Sequence, residues 1–145
     1  MFYTEITDYL PPQTQAIRQE VFMGEQGFSY EFDETDNTAL HLTLYEDSKA
    51  VGCCRLFPGE GPGAWHVGRV AVKREYRSKG LGARIMEGAE QAARERGGLY
   101  MELSAQARAA GFYRRLGYVQ EGEEYLDEHC PHVYMRKQIS ERGKE

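Results

Sequence analysis

Long apolar runs are missing from this sequence. The longest uninterrupted ones are three residues, such as VFM at 21–23, against the roughly 20 that a membrane-spanning helix needs. No transmembrane helix is therefore expected. The opening MFYTEITDYLPP has no basic n-region and no apolar h-region, so no secretory signal is expected either. Cysteine is scarce: Cys53, Cys54 and Cys130. An odd count with two neighbours adjacent does not make a disulfide framework and fits a reducing compartment, with the cytoplasm as the expected location. Repeats, low-complexity tracts and linkers are absent. The 145 residues therefore read as one domain, 1–145, long enough to bury roughly 68–70% of its unfolded surface.

There is no basic excess. The net charge of −5 argues against a general nucleic-acid binder, and no aromatic-basic platform is visible. The distribution says more than the sum. Lys73, Arg74, Arg77, Lys79 and Arg84 stand against a single acid, Glu75, giving a local charge of +4. Two stretches are acidic only. EQGFSYEFDETD holds Glu25, Glu31, Asp33, Glu34 and Asp36, and EGEEYLDE holds Glu121, Glu123, Glu124, Asp127 and Glu128.

Residues 2–6 read as a short strand. PPQTQAIRQEVFMGEQG reads as a helix with proline in its first turn and glycine near its end, Ile17 and Val21 sharing a face. Residues 28–38 read as a loop. ALHLTLYE alternates Leu40, Leu42 and Leu44 with other residues, the period of a half-buried strand. AVGCCRLF is the next strand, with Cys53 and Cys54 pointing to opposite faces as packing residues, and WHVGRVAV the one after. From Leu81 the period changes: Leu81, Ile85, Ala89, Ala92 and Ala93 fall on one helical face until GG at 97–98. LYMEL is a strand, AQARAAGFYRRLG a short helix, and YVQEGEEYL and HVYMRKQI two closing strands. The order β-α-β-β-β-α-β-α-β-β predicts an α/β (α+β) domain, a mixed sheet with helices on both faces.

The stretch from 70 to 84 is the informative one. A strand ends near Val72, a helix begins near Leu81, and R-x-x-G-x-G lies between them as Arg77, Gly80 and Gly82. The first turn of a helix carries unpartnered N–H groups and the positive end of the dipole. Glycines let a phosphate approach that backbone, and Arg77 and Lys79 add charge. The turn reads as a diphosphate cradle. It is neither a P-loop, lacking G-x-x-x-x-G-K, nor a dinucleotide fingerprint, lacking the third glycine of G-x-G-x-x-G.

RVAVKREYRSKGLGARIMEGAE at 69–90 resembles the acyl-CoA-binding core of the GNAT family of N-acetyltransferases, and FYRRLGY at 112–118 resembles that family's second signature, about 30 residues on. VFMGEQG, ALHLTLYE with VGCCRLF, LSAQ and CPHVYMRK are most similar to the ElaA-like branch, and the likeness runs over about residues 3–137. The resemblance implies the GNAT fold, with a mostly antiparallel mixed sheet, and acetyl-CoA as acyl donor. It places the pyrophosphate on Arg77, Ser78, Lys79, Gly80, Leu81 and Gly82 with Ala83 close behind, and the pantetheine arm along Val70, Ala71 and Val72.

The implied chemistry is direct transfer of an acetyl group to a primary amine in a ternary complex. An ammonium titrates near ~10 and must lose its proton before it can attack. The oxyanion needs a donor and the leaving thiolate a proton. The resemblance assigns the acid to Tyr113 and the oxyanion donor to the backbone N–H of Val70 or Val72. His132, in P-H-x-x-M ahead of the last strand, is the expected base. Glu123, Asp127 or a chain of waters are the alternatives, and a packing tyrosine or structural histidine is the plain reading of both side chains. His129, Cys130 and His132 are too cramped for a metal site, so none is expected. His41 and His66 read as packing or surface residues. The acidic stretches suggest a cationic acceptor, a small-molecule or protein amine. Arg18 is the contrary clue, a cation that could hold an acceptor carboxylate. Nucleic acid and membrane are not expected as partners; the sequence does not settle oligomeric state, and the free sheet edges of such a fold leave a homodimer open. The competing reading is a non-catalytic acyl-CoA-binding or regulatory domain.

Overall fold

The computed structural model describes residues 1–29 and 31–141. Among them the order is β1 (Phe2–Thr7), α1 (Pro12–Arg18), β2 (Leu40–Glu46), β3 (Lys49–Pro58), β4 (Ala64–Val72), α2 (Leu81–Glu95), β5 (Tyr100–Gln106), α3 (Ala110–Arg115), β6 (Val119–Gln120), β7 (Tyr125–Asp127) and β8 (Cys130–Gln138). The hydrogen-bonding order is β1-β2-β3-β4-β5-β8-β6, with β7 also on β8. The β4–β5 ladder is parallel and covers Ala64↔Tyr100 to His66↔Glu102. The ladders β1–β2, β2–β3, β5–β8, β6–β8 and β7–β8 are antiparallel, so the mixed, mostly antiparallel sheet is as expected. Two compact units share β4. One holds Met1–Phe57 and Val67–Ala92, the other Pro58–His66 and the chain from Ala93 on.

In the first unit α1 starts at Pro12 after an extended Pro11, where a missing N–H costs nothing. The expected single helix is shorter. After Arg18 the turns widen into a π-helix over Gln19–Glu25, closed by Gln26 N–H donating to Val21 O at 3.1 Å. The Ile17–Val21 spacing serves either helix, so periodicity does not tell them apart. Ile17, Val21, Phe22, Ala50, Cys53 and Ala71 form one apolar cluster. Strand β2 is buried on both sides over His41–Leu44 rather than half-buried. Its polar side is roofed: Thr43 shares a hydroxyl hydrogen bond with Thr14 of α1 at 2.6 Å, and His41 Nε2–H donates to Asp36 O at 2.9 Å. On α2 the expected face, Leu81, Ile85, Ala89, Ala92 and Ala93, is buried throughout. Gly52 of β3 makes the close approach possible, since a Cβ there would lie 2.7 Å from Ile85 Cδ1 and 3.0 Å from Ala71 O.

In the second unit β5 alternates buried Met101, Leu103 and Ala105 with more open Glu102 and Ser104. Val133 and Met135 of β8, Tyr113 and Tyr118 complete that core. The expected strand 118–126 is split into β6 and β7. Gly122 takes φ 83 between them, and after Glu121 N–H donates to Tyr134 O of β8 at 2.9 Å, residues 122–124 leave the ladder, exposed. The last strand begins at Cys130, so His132 lies inside β8 and not ahead of it.

Candidate active site

The strand-to-helix turn lies where the sequence placed it, β4 ending at Val72 and α2 beginning at Leu81. One 3-10 turn, Arg74–Tyr76, leads out of the strand. Ser78 and Gly80 then take φ 63 and φ 75. A Cβ on Gly80 would meet nothing within 4 Å, so the backbone there is open to a ligand. The first turn of α2 carries no acid, and its amides face no competing anion from their own helix. Ser78 and Lys79 are exposed, and Lys79 Nζ lies 5.5 Å from the Tyr76 ring centre. Arg77 is exposed too, but its guanidinium is engaged: Nε donates to Val72 O at 2.9 Å and Nη1 pairs with Glu25 at 2.8 Å. It braces the turn against β4 and the π-helical segment. A glycine-bearing turn, a 15-residue helix behind it and an exposed lysine fit a diphosphate.

Just upstream in β4, Arg69 takes φ 54, a conformation that costs a non-glycine residue of order 1–3 kcal/mol. Its side chain is held on the 31–33 segment. Nε reaches Glu31 Oε1 at 2.8 Å and Glu31 O at 3.1 Å, and Nη2 reaches Glu31 O at 2.9 Å and Asp33 Oδ2 at 3.4 Å. Arg55 donates to Asp33 at 2.6 Å and 3.1 Å and to Asp36 at 2.9 Å. Arg18 donates to Glu31 at 2.9 Å and to Asp36 at 2.7 Å and 3.2 Å. The carboxylates converge because Asp33 caps the short 3-10 turn Glu34–Asn37 and Asp36 accepts the Asp33 N–H at 3.1 Å. Burial pushes the Asp36 carboxyl up, but Arg18, the Asp33 amide and Arg55 outweigh it and hold the group at about 2, against an ordinary 3.8. Burial likewise works against the Arg18 cation, yet hydrogen bonds to Asp36 and Glu31 raise its pKa. Among the described residues, Glu31 Oε2, His41 Nδ1 and Arg55 Nε are buried without a partner.

This network corrects two expectations. Arg18 is 1% exposed, with its donors on Glu31 and Asp36, so it is no anchor for an acceptor carboxylate. The first acidic stretch is not a negative rim, because Glu31, Asp33 and Asp36 face Arg18, Arg55 and Arg69. Glu25 is matched as well, by Arg74 at 3.6 Å and Arg77. The second stretch, 121–128, is exposed throughout.

Tyr113 and His132 both belong to the second unit. Tyr113 is 8% exposed, on α3, edge-on to Phe112 at 4.9 Å and to Tyr118 at 5.9 Å. His132 is 6% exposed, opposite Gln106 of β5 and Tyr125 of β7, with the Tyr125 ring stacked at 6.1 Å. Tyr125 is itself hydrogen-bonded to Ser104. His132 Nδ1 lies 2.9 Å from Cys130 O. A carbonyl only accepts, so Nδ1 carries the hydrogen and the lone pair of the neutral ring is on Nε2. That is the tautomer a base needs. His66 meets Glu102 at 3.3 Å.

Val70, Ala71 and Val72 close β4, Ala71 buried and both valines part-buried. Lys73 N–H donates to Val51 O at 2.9 Å, which keeps the strand's end on β3. The residue that sequence reasoning overlooked is Arg69. Its signal was available: a glycine and an arginine, Gly68–Arg69, interrupting an apolar strand.

A strand, a glycine turn and a helix N-terminus in this sheet order are what the resemblance to acyl-CoA-binding acyltransferases implies. The family model for the acetyltransferase (GNAT) domain matches residues 8–139, and the chain belongs to that family; it is an acetyltransferase. The Bacillus subtilis protein YjcF, an uncharacterized N-acetyltransferase, is 37% identical over 124 residues, 83% of this chain and 87% of that one. An acyl-CoA N-acyltransferase from Pseudomonas aeruginosa is 32% identical with a TM-score of 0.79 over 94% of this chain and 99% of that one. Escherichia coli ElaA has a TM-score of 0.83 over 95% and 100% of the two chains at 22% identity, a likeness of fold. Among the described residues no helix is long and apolar enough to cross a membrane.

Proposed function

We propose that the protein transfers the acetyl group of acetyl-CoA to a primary amine by direct attack. The observation that carries this reading is the β4–α2 turn, where open Gly80, left-handed Ser78 and the acid-free first turn of α2 support the binding of a diphosphate. In this reading the amides of 78–83 and Lys79 hold the diphosphate, and the main chain of Val70–Val72 pairs with the pantetheine arm as an added strand would. The thioester supplies an acyl carbon: its bond to the amine nitrogen forms while its bond to sulfur breaks. His132 Nε2 takes the proton from the ammonium. The Val70 or Val72 N–H donates to the acyl oxygen. Tyr113 gives its proton to the departing thiolate and regains one from the attacking nitrogen, which sheds its second proton as the amide forms. The exposed acidic run 121–128 supports a cationic amine as acceptor.

Thermal unfolding with and without acetyl-CoA, with NAD and ATP as controls, tests the reading. Ligand at ~100 times Kd should add about 2.7 kcal/mol, several degrees in Tm. Gly80→Asp is the matching variant. Aspartate tolerates a left-handed backbone and the space is open, so the fold should survive, while its carboxylate repels a diphosphate. A Tm rise with acetyl-CoA alone, lost in Gly80→Asp, followed by amine-dependent release of coenzyme A, is expected. No rise at millimolar acetyl-CoA overturns the reading.

A further inference from the structure

A left-handed residue inside a strand usually has a local excuse, a glycine or a tight turn. Arg69 has neither, and it stands directly after Gly68, which would take φ 54 at no steric cost. The chain instead places the strained conformation on the residue with the longest reach. That side chain runs to the 31–33 segment and makes four contacts of 2.8–3.4 Å with Glu31 and Asp33. The receiving groups are fixed from behind. Asp33 is gripped by both terminal nitrogens of Arg55, and Glu31 by Arg18, which is buried between Glu31 and Asp36. From the main chain, Arg69 O faces Cys53 Sγ at 3.9 Å. The backbone angle of Arg69 is thus held from its side chain, through three arginines and three carboxylates.

A residue's φ and ψ set the two peptide planes that meet at its Cα. The plane after Arg69 carries the Val70 N–H. We propose that Arg69 is a positioning residue for acyl transfer: clamped by Glu31 and Asp33, it holds the β4 backbone turned so that the Val70 N–H points at the acyl oxygen. This rests on the acetyl-transfer reading above and adds the device that aims its donor. It also gives the charge-balanced network a use other than acceptor binding. Arg69 is the one guanidinium of the three that is well short of full burial, its side chain 29% exposed against 1% and 7% for Arg18 and Arg55, and it sits beside the residue it orients.

The decisive variant is Arg69→Gly. Glycine accepts φ 54 without strain, so the fold should hold, which a thermal melt checks, yet nothing then holds the angle. Infrared difference spectra with acetyl-CoA labelled at the carbonyl carbon report the hydrogen bond to the acyl oxygen without any acceptor present. Wild-type protein should lower the carbonyl stretching frequency on binding. Arg69→Gly should bind acetyl-CoA within about threefold of wild type, lose that lowering, and drop kcat by roughly a hundredfold, the loss seen when one oxyanion donor is removed. Arg69→Lys, which keeps one of the contacts, should fall between. Should Arg69→Gly not fold, Asp33→Asn loosens the same clamp and should move frequency and kcat the same way, by less. A wild-type frequency and a kcat within twofold in a folded Arg69→Gly overturn the proposal. If the wild type does not bind acetyl-CoA, the acetyl-transfer reading falls and takes this one with it; if it binds with no Arg69-dependent shift, this one falls alone.

Discussion

Replacing Asp36 by asparagine isolates the contribution of the buried ion network. Asp36 receives Arg18 at 2.7 Å and 3.2 Å, Arg55 at 2.9 Å and the Asp33 amide at 3.1 Å. Its carboxyl lies at about 2, against 3.8 ordinarily. At 1.36 kcal/mol per unit, that difference is worth about 2 kcal/mol. The folded value is the depressed one, so this stability is complete above the unfolded value and is lost as pH falls from about 4 through about 2. The substitution also leaves Arg18 and Arg55 short of an anion inside the protein, and removing one partner of a buried ion pair costs about 3–5 kcal/mol. At pH 7 the variant should therefore be about 3–5 kcal/mol less stable than wild type, a large part of a normal 5–15 kcal/mol. Urea unfolding of both proteins at pH 7, 4, 3 and 2.5 measures the difference. It should be constant from pH 7 to about 5 and then narrow by most of ~2 kcal/mol as wild-type Asp36 takes up its proton. A gap that stays the same down to pH 2.5 would refute the reasoning.

Tyr113→Phe should lower kcat by roughly 10²–10⁴-fold while leaving acetyl-CoA affinity within about twofold, since only the proton for the thiolate is lost; an unchanged kcat assigns Tyr113 to packing with Phe112 and Tyr118. His132→Gln should cost a similar factor at neutral pH and recover as pH rises toward the amine's own ~10, where the acceptor sheds its proton unaided; no recovery in a pH–rate profile argues against the base role. Gly52→Ala should destabilise by about 1–3 kcal/mol, because the new methyl collides with Ile85 and the Ala71 carbonyl; an unchanged urea midpoint would contradict the packing of α2 on β3. In native protein a thiol reagent should modify Cys130 quickly and Cys53 and Cys54 only on unfolding, burial having pushed the Cys53 thiol up to about 12 and the Cys54 thiol higher than normal; fast labelling of all three counts against the buried β3.

The elements were legible wherever one local rule governed them. The change from alternation to a 3.6 period at Leu81, and the glycines at 80, 82, 97 and 98, place α2 almost to the residue. Tertiary cover is what local rules miss. Leu40, Leu42 and Leu44 read as one buried face, but Thr14 and Asp36, 29 and five residues away from their partners, bury the other face as well. The widened turns after Arg18 leave the four-residue apolar spacing intact, and the break at Gly122 hides inside a run with strand-like ends. Charge was the hardest to read. In sequence, Glu31, Asp33 and Asp36 look like a solvated acidic loop, because their arginines lie 13 to 38 residues away.

Backbone strain offers a route to a site that composition does not. Among the described residues, four that are not glycine have positive φ: Asp47, Arg69, Ser78 and Glu128. Asp47 opens the two-residue connection between β2 and β3, and Glu128 the one between β7 and β8, where the twist of paired strands favours that conformation. Arg69 and Ser78 have no hairpin to account for them. They bracket Val70–Val72 and lead into Gly80 and the start of α2. Proteins keep strained residues where surrounding structure over-determines them, and such places are concentrated at working sites. Here the over-determination has a visible source at one end, the Arg69 clamp. At the other end Arg77, next to Ser78, is fastened to Val72 O and Glu25. If both strained residues serve one ligand, Arg69→Gly and Ser78→Gly should separate by function: the first impairs turnover at normal acetyl-CoA affinity, while the second weakens acetyl-CoA binding and leaves kcat at saturation near wild type. Equal effects of the two on both parameters would mean that the strain reflects the packing of β4 alone.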